Sequence, residues 1–259
     1  MRMIFDCFMF MNEFDILDRR LEYLKDSVDC FVLVESSVSH GGNTKECLFD
    51  KQKEKYKDYN IIHVISNKLP EEFIGYAKKY NYDSLNWDRE MYQRHMVLEG
   101  LERGGAKPDD VIIISDVDEI PNKDYVRDYG PGRVIGLHMT HFQFSLKHLQ
   151  TDEPWVGSVI CRCDLFKEKE PNFFRYNRWR FMIFKQAGWH LSSFGDLDTI
   201  VYKYKNYAHC EDPGMEEKDY AYFEKIVREG YKVSGKTKMT ETPKEILETL
   251  PKELNIQLF

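Results

Sequence analysis

Short apolar runs alternate with amphipathic segments through the first half of the chain. The run Ile4–Phe10 (IFDCFMF) predicts a buried strand. Residues 12–26 then show the periodicity of an amphipathic helix, for which Asn12 is a candidate N-cap. A second apolar run at residues 30–34 completes a strand–helix–strand unit, whose two strands are expected to be parallel. The helical periodicity is carried by Phe14, Leu17, Leu21 and Leu24.

The alternation continues to residue 121 and predicts an α/β fold. Residues 60–65 and 111–115 are further apolar strands, and helices are predicted at residues 47–57 and 86–103. Strands that helices cover on both faces are almost continuously apolar, as these runs are. The sequence therefore predicts a mostly parallel, Rossmann-type sheet with helices on both faces.

The second half of the chain has longer segments that are rich in aromatic residues. Antiparallel strands are predicted at residues 133–146 and 155–163, and strand and loop at residues 175–195. Helices are predicted near residues 198–207, 216–229 and 243–249. Because neither an internal repeat nor a long linker separates these segments, we expect residues 1–259 to form a single domain with two unequal halves.

Composition and charge are those of a globular protein that does not bind nucleic acid. Hydrophobic residues make up 42% of the chain and the formal net charge is −7, which disfavours an extended nucleic-acid-binding surface. No apolar run approaches the roughly 20 residues that a membrane span requires. The N-terminus resembles a signal peptide, but Asp6 interrupts it and no small-residue cleavage site follows. With six scattered cysteines and no secretion signal, a cytoplasmic protein with reduced thiols is expected.

Three carboxylates follow the apolar run at residues 111–114. Because side chains alternate along a strand, Asp116 and Asp118 are expected to project to the same side at its carboxyl end, where ligands of open α/β sheets bind. Two oxygen donors there suit Mg²⁺ or Mn²⁺, and the ion can hold a diphosphate. Two alternatives remain open. The acidic pair forms a turn or caps a helix near Pro121, or it is the nucleophile motif of a dehalogenase-type phosphatase.

Five segments occur in a fixed order along residues 5–211. They are FDCFMFMNEFDILDRRL (residues 5–21), VDCFVLVESS (28–37), WDREMYQR (87–94), DDVIIISDVDEIP (109–121) and GWHLSSFG (188–195). Together these segments resemble glycosyltransferase family 17, whose known activity adds a bisecting N-acetylglucosamine to N-glycans. The resemblance implies a GT-A-like fold, a UDP-sugar donor (UDP-GlcNAc), a divalent cation, a glycan acceptor and inversion at the anomeric carbon.

The resemblance also divides the expected domain. Residues 1–121 would be the nucleotide-sugar-binding half, residues 122–215 the acceptor-side half, and residues 216–259 C-terminal helices and a tail. Because the first family motif begins at Phe5, no membrane anchor is expected before it. A soluble bacterial or viral enzyme that acts on another glycan is therefore expected.

The resemblance assigns the acidic motif to a metal–diphosphate site. Asp116 and Asp118 would bind the Mn²⁺ or Mg²⁺ that neutralises the leaving group. GT-A-type sites often add a late histidine, for which His190 is the expected ligand and His209 the alternative. A buried histidine bonded to backbone is the competing interpretation of His190. Glu119 is expected to orient the acidic pair or to act at the acceptor, unless it is a solvated turn residue.

Polar residues at the same edge of the sheet are candidates for donor binding. Asn12, Glu13 and Glu35 follow the first two strands and are expected to touch the nucleotide. A helix cap for Asn12 and an exposed strand end for Glu35 are the alternatives. Lys203 is expected to contact a phosphate oxygen, and Arg89 either the diphosphate or the carboxyl edge of the sugar.

Acceptor-side chemistry is less well determined by the sequence. An inverting transferase needs a base to deprotonate the acceptor hydroxyl, and the candidates left open are Asp196, Asp198 and Glu211. The run RYNRWR (residues 175–180) either lines an acceptor groove or forms a surface strand. Glu90 and Arg94 have the spacing of an intrahelical ion pair.

The remaining alternatives concern the histidines and the function as a whole. Three histidines of the acceptor-side half are expected to be structural: His138, His141 and His148. The competing function is a catalytically silent carbohydrate-binding protein of the same fold, against which the intact acidic pair argues.

Overall fold

Eleven strands form one sheet in this computed structural model, which describes residues 2–130 and 132–256. The strands are β1 (Ile4–Phe10), β2 (Cys30–Ser36), β3 (Ile61–Ser66), β4 (Val111–Asp116), β5 (Glu119–Pro121), β6 (Ile135–Gln143), β7 (Ser145–Leu149), β8 (Trp155–Arg162), β9 (Met182–Phe184), β10 (Gly188–Ser192) and β11 (Thr240–Glu241). The α-helices of the described ranges are α1 (Phe14–Leu24), α2 (Leu48–Gln52), α3 (Leu85–His95), α4 (Val97–Arg103), α5 (Lys123–Arg127), α6 (Cys163–Lys169), α7 (Pro171–Asn177), α8 (Leu197–Asn206), α9 (Tyr220–Glu229) and α10 (Lys244–Leu247). None of these helices is long and apolar enough to cross a membrane.

The parallel part of the sheet has the strand order β3-β2-β1-β4. β8 pairs antiparallel with β4, and β6, β7 and β11 continue the antiparallel part. Three short strands lie outside this strand order. β9 and β10 each pair with β6, and β5 pairs with β10. The predicted α/β class is confirmed, with a parallel Rossmann-type core and the antiparallel extension of a GT-A-like fold.

Helices cover both faces of the parallel strands. Leu17 and Leu21 of α1 lie in the core on one face, and Leu101 of α4 lies in the core on the other. At Gly100 a Cβ atom would lie 2.2 Å from Cγ1 of Val32, so only glycine lets α4 approach β2 this closely. These contacts explain why the strand runs are apolar at nearly every position.

Several predicted helices have different bounds in the structure. α1 begins at Phe14, and Glu13 occupies the N-cap position without a side-chain capping bond, so the prediction that Asn12 caps this helix is wrong. The helix predicted at residues 86–103 is two helices, α3 and α4. They separate at Met96, where ψ is −9° rather than the value near −42° of a continuing α-helix.

The segment RYNRWR is helical rather than extended. Pro171 is the first residue of α7, a position where proline is favoured because its missing N–H would be unpaired there. The helical conformation then continues through the 3₁₀ turn Arg178–Arg180. The strand structure predicted for residues 175–195 is therefore limited to β9 and β10.

A buried ion pair lies beneath the turn that follows β4. Arg20 of α1 and Asp6 of β1 are both fully buried, and the guanidinium donates to the two carboxylate oxygens at 2.6 and 2.8 Å. The same guanidinium donates to the carbonyl oxygens of Asp116, Val117 and Glu119 at 3.2, 3.2 and 2.8 Å. Arg20 therefore fixes the backbone that carries the acidic motif.

The Asp6–Arg20 pair generates a stability prediction. Arg20→Met leaves Asp6 buried without a partner, so we expect the free energy of unfolding to fall by about 3–5 kcal/mol in chemical denaturation. The double variant Asp6→Val/Arg20→Met should regain part of this loss, because no charge is then left unpaired. Lys25→Met, at the exposed C-cap of α1, is the control and should unfold like the wild type. An Arg20→Met variant as stable as that control would contradict the structural role.

Candidate active site

A cavity of about 630 Å³ opens at the carboxyl ends of β1, β2 and β4. Its walls come from the loops after β1 and β2, the turn after β4, and parts of α3, α7, β10 and α8. Ligands of open α/β sheets bind at this edge, so the cavity is the candidate active site. Six of the predicted site residues line it: Glu13, Asp116, Asp118, His190, Lys203 and His209.

Asp118 lies in a buried cluster of polar groups. Nζ of Lys203 donates to Oδ2 of Asp118 at 2.8 Å, and Nε2 of His190 lies 3.6 Å from Oδ1. Burial would raise the pKa of Asp118, but Lys203 and His190 outweigh burial and hold that pKa well below its usual range. Burial would lower the pKa of Lys203, but Asp118 and then Glu13 raise it above its usual value. Asp118 and Lys203 are therefore both charged at neutral pH.

Asp116 is paired with two arginines. Nη2 of Arg175 donates to its Oδ2 at 2.8 Å, and Nη2 of Arg94 lies 3.5 Å from its Oδ1. Burial would raise the pKa of Asp116, but Arg175 and Arg94 lower it below the usual value. Arg175 is only 5% exposed and lies in α7, so the interpretation of this residue as part of a surface strand is wrong.

Glu119 is a buried residue that holds Asp116 and Arg175 in position. It is fully buried and accepts hydrogen bonds from the backbone N–H of Asp116 (2.8 Å), from Nε1 of Trp155 (2.9 Å) and from Nη1 of Arg175 (2.7 Å). A carboxylate with these donors and no exposed surface does not reach an acceptor. Of the roles expected for Glu119, the structure therefore supports orientation of the acidic pair and contradicts catalysis or a solvated turn.

The carboxylates at the cavity fit a divalent cation that a substrate helps to bind. Among the described residues, Oδ1 of Asp116 is buried and accepts no hydrogen bond, with Nη2 of Arg94 3.5 Å away, and Oδ1 of Asp118 has only the long contact to His190. Within residues 2–130 and 132–256, no group of three or more His, Cys, Asp and Glu side chains is arranged to hold a metal ion by itself. Mg²⁺ is usually held by one or two carboxylates together with substrate phosphates, and these residues suit that arrangement.

The two candidate histidine ligands have different surroundings. The ring of His190 stacks on Trp155 and His141, with centroids at 4.6 and 4.3 Å, and its Nδ1 is buried without a hydrogen bond. The backbone-bonded interpretation of His190 is therefore wrong. Burial and the adjacent His190 lower the pKa of His141 to about 2, so His141 is a neutral packing partner. Nδ1 of His209 lies 2.9 Å from Oδ2 of Asp212, and neither acidic residue of the motif contacts it.

Besides Glu119, six predicted residues do not line the cavity: Asn12, Glu35, Arg89, Asp196, Asp198 and Glu211. Glu35 is fully buried and accepts from the backbone N–H of Phe49 at 3.2 Å, at the start of α2, so it holds that helix and is not an exposed strand end. Nη1 of Arg89 donates to the carbonyl oxygen of His40 at 2.9 Å and ties α3 to the loop after β2. Both residues support the walls of the cavity from outside.

The carboxylates expected to supply a base also lie outside the cavity. Asp196 is the N-cap of α8 and accepts from the backbone N–H of Thr199 at 2.8 Å. Glu211 is exposed in the 3₁₀ turn Ala208–Glu211, and Asp198 is exposed in the first turn of α8. Within the described part of the chain, no hydrogen bond or ion pair joins any of these three residues to the acidic motif, and the structure offers no support for them as bases.

Sequence reasoning missed two groups that shape the cavity. Arg94 was interpreted only as the helix partner of Glu90, which it contacts at 2.7 Å, but its guanidinium also reaches Asp116. Trp155 lies at the cavity wall and is fixed there by its bond to Glu119. These contacts join residues far apart in sequence. The sequence signal that could have identified Arg94 was its place among the buried positions of α3.

Comparisons with known proteins identify the family. A β-1,4-mannosyl-glycoprotein 4-β-N-acetylglucosaminyltransferase of Rattus norvegicus is 25% identical over 259 residues, which covers 85% of this chain and 46% of that protein. The protein of the same name from Homo sapiens is 31% identical over 121 residues, covering 44% of this chain and 21% of that protein. This chain thus spans at most about half the length of these relatives.

Among solved structures, a 4-diphosphocytidyl-2C-methyl-D-erythritol synthase is similar with a TM-score of 0.46 and 12% identity, covering 78% of this chain and 97% of that chain. The model of glycosyltransferase family 17, in contrast, matches residues 1–252. Because the match extends over nearly the whole sequence, the chain belongs to glycosyltransferase family 17, a family of glycosyl-transferring enzymes.

Proposed function

We propose that this chain is a metal-dependent, inverting glycosyltransferase that moves N-acetylglucosamine from UDP-GlcNAc to a glycan acceptor. The observation that carries the proposal is the pair Asp116 and Asp118, each with a carboxylate oxygen free of strong hydrogen bonds, at the ligand-binding edge of the sheet. The donor sugar and the glycan acceptor are inferred from the names of the relatives. Membership in family 17 disfavours the phosphatase alternative.

The proposed donor site uses residues from both halves of the chain. Asp116, Asp118 and His190 would hold Mn²⁺ or Mg²⁺, which neutralises charge on the leaving diphosphate when bound. Lys203 lies 2.8 Å from Asp118 and 3.8 Å from Glu13, so its ammonium group stands beside the same site and can bind a phosphate oxygen. Transfer of the sugar then depends on electrostatic stabilisation of the leaving group by these residues.

Glu90 is the base that we assign for the acceptor hydroxyl. The carboxylates lining the cavity are Glu13, Glu90, Asp116 and Asp118. Oε1 of Glu90 pairs with Arg94 at 2.7 Å, whereas Oε2 accepts no hydrogen bond from the described residues and lies 3.8 Å from Nδ1 of His40. Glu13 accepts from two backbone N–H groups at Oε2 and has the Lys203 ammonium 3.8 Å from Oε1, beside the proposed donor site, and the aspartates are assigned to the metal. Glu90 thus has an oxygen free to take the proton.

Metal dependence of donor binding is tested by calorimetry with UDP. We expect UDP to bind weakly alone and at least about tenfold more tightly with Mn²⁺ or Mg²⁺, because the ion links the carboxylates to the diphosphate. Asp118→Asn should lose the metal-dependent part. Since Asp118 also neutralises buried Lys203, circular dichroism must first show that this variant folds. Equal UDP affinity with and without metal would remove the metal from the proposal.

The choice of histidine is tested with His190→Ala and His209→Ala. We expect His190→Ala to lower Mn²⁺ affinity at least about tenfold in the presence of UDP, because its Nε2 lies beside Asp118. His209→Ala should keep the affinity for Mn²⁺, since that ring is paired with Asp212. The reverse result would transfer the ligand role to His209.

The base is tested with Glu90→Gln, which keeps the side-chain shape and removes the proton acceptor. We expect kcat for transfer from UDP-GlcNAc to fall by about 10²–10⁴ while UDP affinity is unchanged. Asp196→Asn and Glu211→Gln are the matched controls and should keep kcat. If Glu90→Gln turns over like the wild type while one of the controls does not, the base is that control residue.

A further inference from the structure

Among the described residues that line the cavity, one cation is not part of an ion pair. The lysine and arginine side chains that line it are Lys45, Arg94, Arg175, Arg178 and Lys203. Four of them lie within 4.0 Å of a carboxylate, at 3.7 Å for Lys45, 2.7 Å for Arg94 and 2.8 Å for Arg175 and Lys203. Among the residues that the structure describes, Arg178 has no carboxylate at that range. Its charge is left for a ligand.

The surroundings of Arg178 leave its charge incompletely compensated. Nη1 donates to the carbonyl oxygen of Arg175 at 2.7 Å, and Nε is buried without a hydrogen-bond partner. Burial and the neighbouring Arg175 guanidinium lower the pKa of Arg178 to about 10. A bound anion would stabilise the charged guanidinium against burial and against repulsion by Arg175. It would also accept hydrogen bonds from the N–H groups that have no partner.

Aromatic rings border the same guanidinium. Its carbon lies 5.2 Å from the centroid of the Trp155 ring and 5.8 Å from that of Trp179. Trp155 is held by its hydrogen bond to Glu119, whereas Trp179 is 42% exposed at the rim of the cavity. Sugar rings pack their C–H faces on aromatic rings, which combine an apolar face with low conformational entropy. An arginine between tryptophans is therefore suited to an acidic sugar.

We propose that Arg178 and the exposed Trp179, with Trp155 supporting the arginine, form an acceptor subsite for a saccharide that carries a carboxylate or phosphate group. The inference rests on the proposed function, because it assigns the remaining part of the same cavity to the acceptor. The donor diphosphate has its own groups in Asp116, Asp118 and Lys203. The exposed Trp179 lies where an acceptor larger than one sugar can extend into solvent.

The test compares two probes of equal shape, methyl β-D-glucuronide and methyl β-D-glucoside. Their affinities are measured by saturation-transfer NMR with the wild-type protein, both with and without UDP and Mn²⁺. We expect the glucuronide to bind about tenfold or more tightly than the glucoside, as for a hydrogen bond between two charged groups. Arg178→Gln should reduce the glucuronide affinity to that of the glucoside and leave UDP affinity unchanged. Trp179→Ala should weaken both sugars.

Control variants keep the proposal open to refutation. Arg180→Gln removes an exposed arginine two positions away and should change neither sugar affinity. Arg178→Lys retains the charge and should keep part of the preference, which covers the case in which Arg178→Gln does not fold. Equal affinity of the two sugars for the wild type would overturn the proposal. A loss of UDP affinity in Arg178→Gln would also overturn it, because the arginine would then serve the donor.

Failure of the proposed function is distinguishable from failure of this inference. A wild-type protein that binds no UDP, with or without Mn²⁺, contradicts the proposed donor site. The preference for the glucuronide is still measured in that sample without UDP, and it supports or overturns the role of Arg178 by itself.

Discussion

The buried pair of Asp6 and Arg20 is the interaction on which the site depends. Its two charges are removed from water, which costs several kcal/mol per ion before their attraction offsets it. The guanidinium offsets this desolvation cost by donating hydrogen bonds to the carboxylate and to the carbonyl oxygens of the turn after β4. The backbone that presents Asp116 and Asp118 is thus tied to the first strand and the first helix, so the position of the acidic pair follows from the core.

Charge balance is the second constraint on the cavity. Asp116 is held by Arg175 and Arg94, and Asp118 by Lys203, so the motif is compensated before any ligand binds. Compensation lets two carboxylates remain ionised close together in a half-buried place. Each still has an oxygen without a short hydrogen bond from the described residues, which a cation can use. The same compensation leaves Arg178 as the cation whose charge a ligand would have to balance.

The sequence predicted the elements well and the side-chain pairings poorly. Apolar runs and the carboxylates after β4 follow local rules, and the α/β sheet was therefore predictable. The structural role of Glu35 was not predictable, because its carboxylate is buried under α2 and accepts a hydrogen bond from the start of that helix. Asp6 and Arg20 carried a signal that was not used: one interrupts an apolar strand, and the other lies on the apolar face of α1. Charges at core positions predict a buried pair, but only the fold identifies the partner.

The central claim is that the turn held by Arg20 presents a cation–diphosphate site. Crystals grown with UDP and Mn²⁺ test it most directly through the anomalous scattering of manganese. The account predicts one strong anomalous peak in contact with carboxylate oxygens of both Asp116 and Asp118, with UDP phosphate oxygens completing the coordination. UDP bound in the cavity without a manganese peak at these carboxylates, or a peak held by other residues, would contradict it.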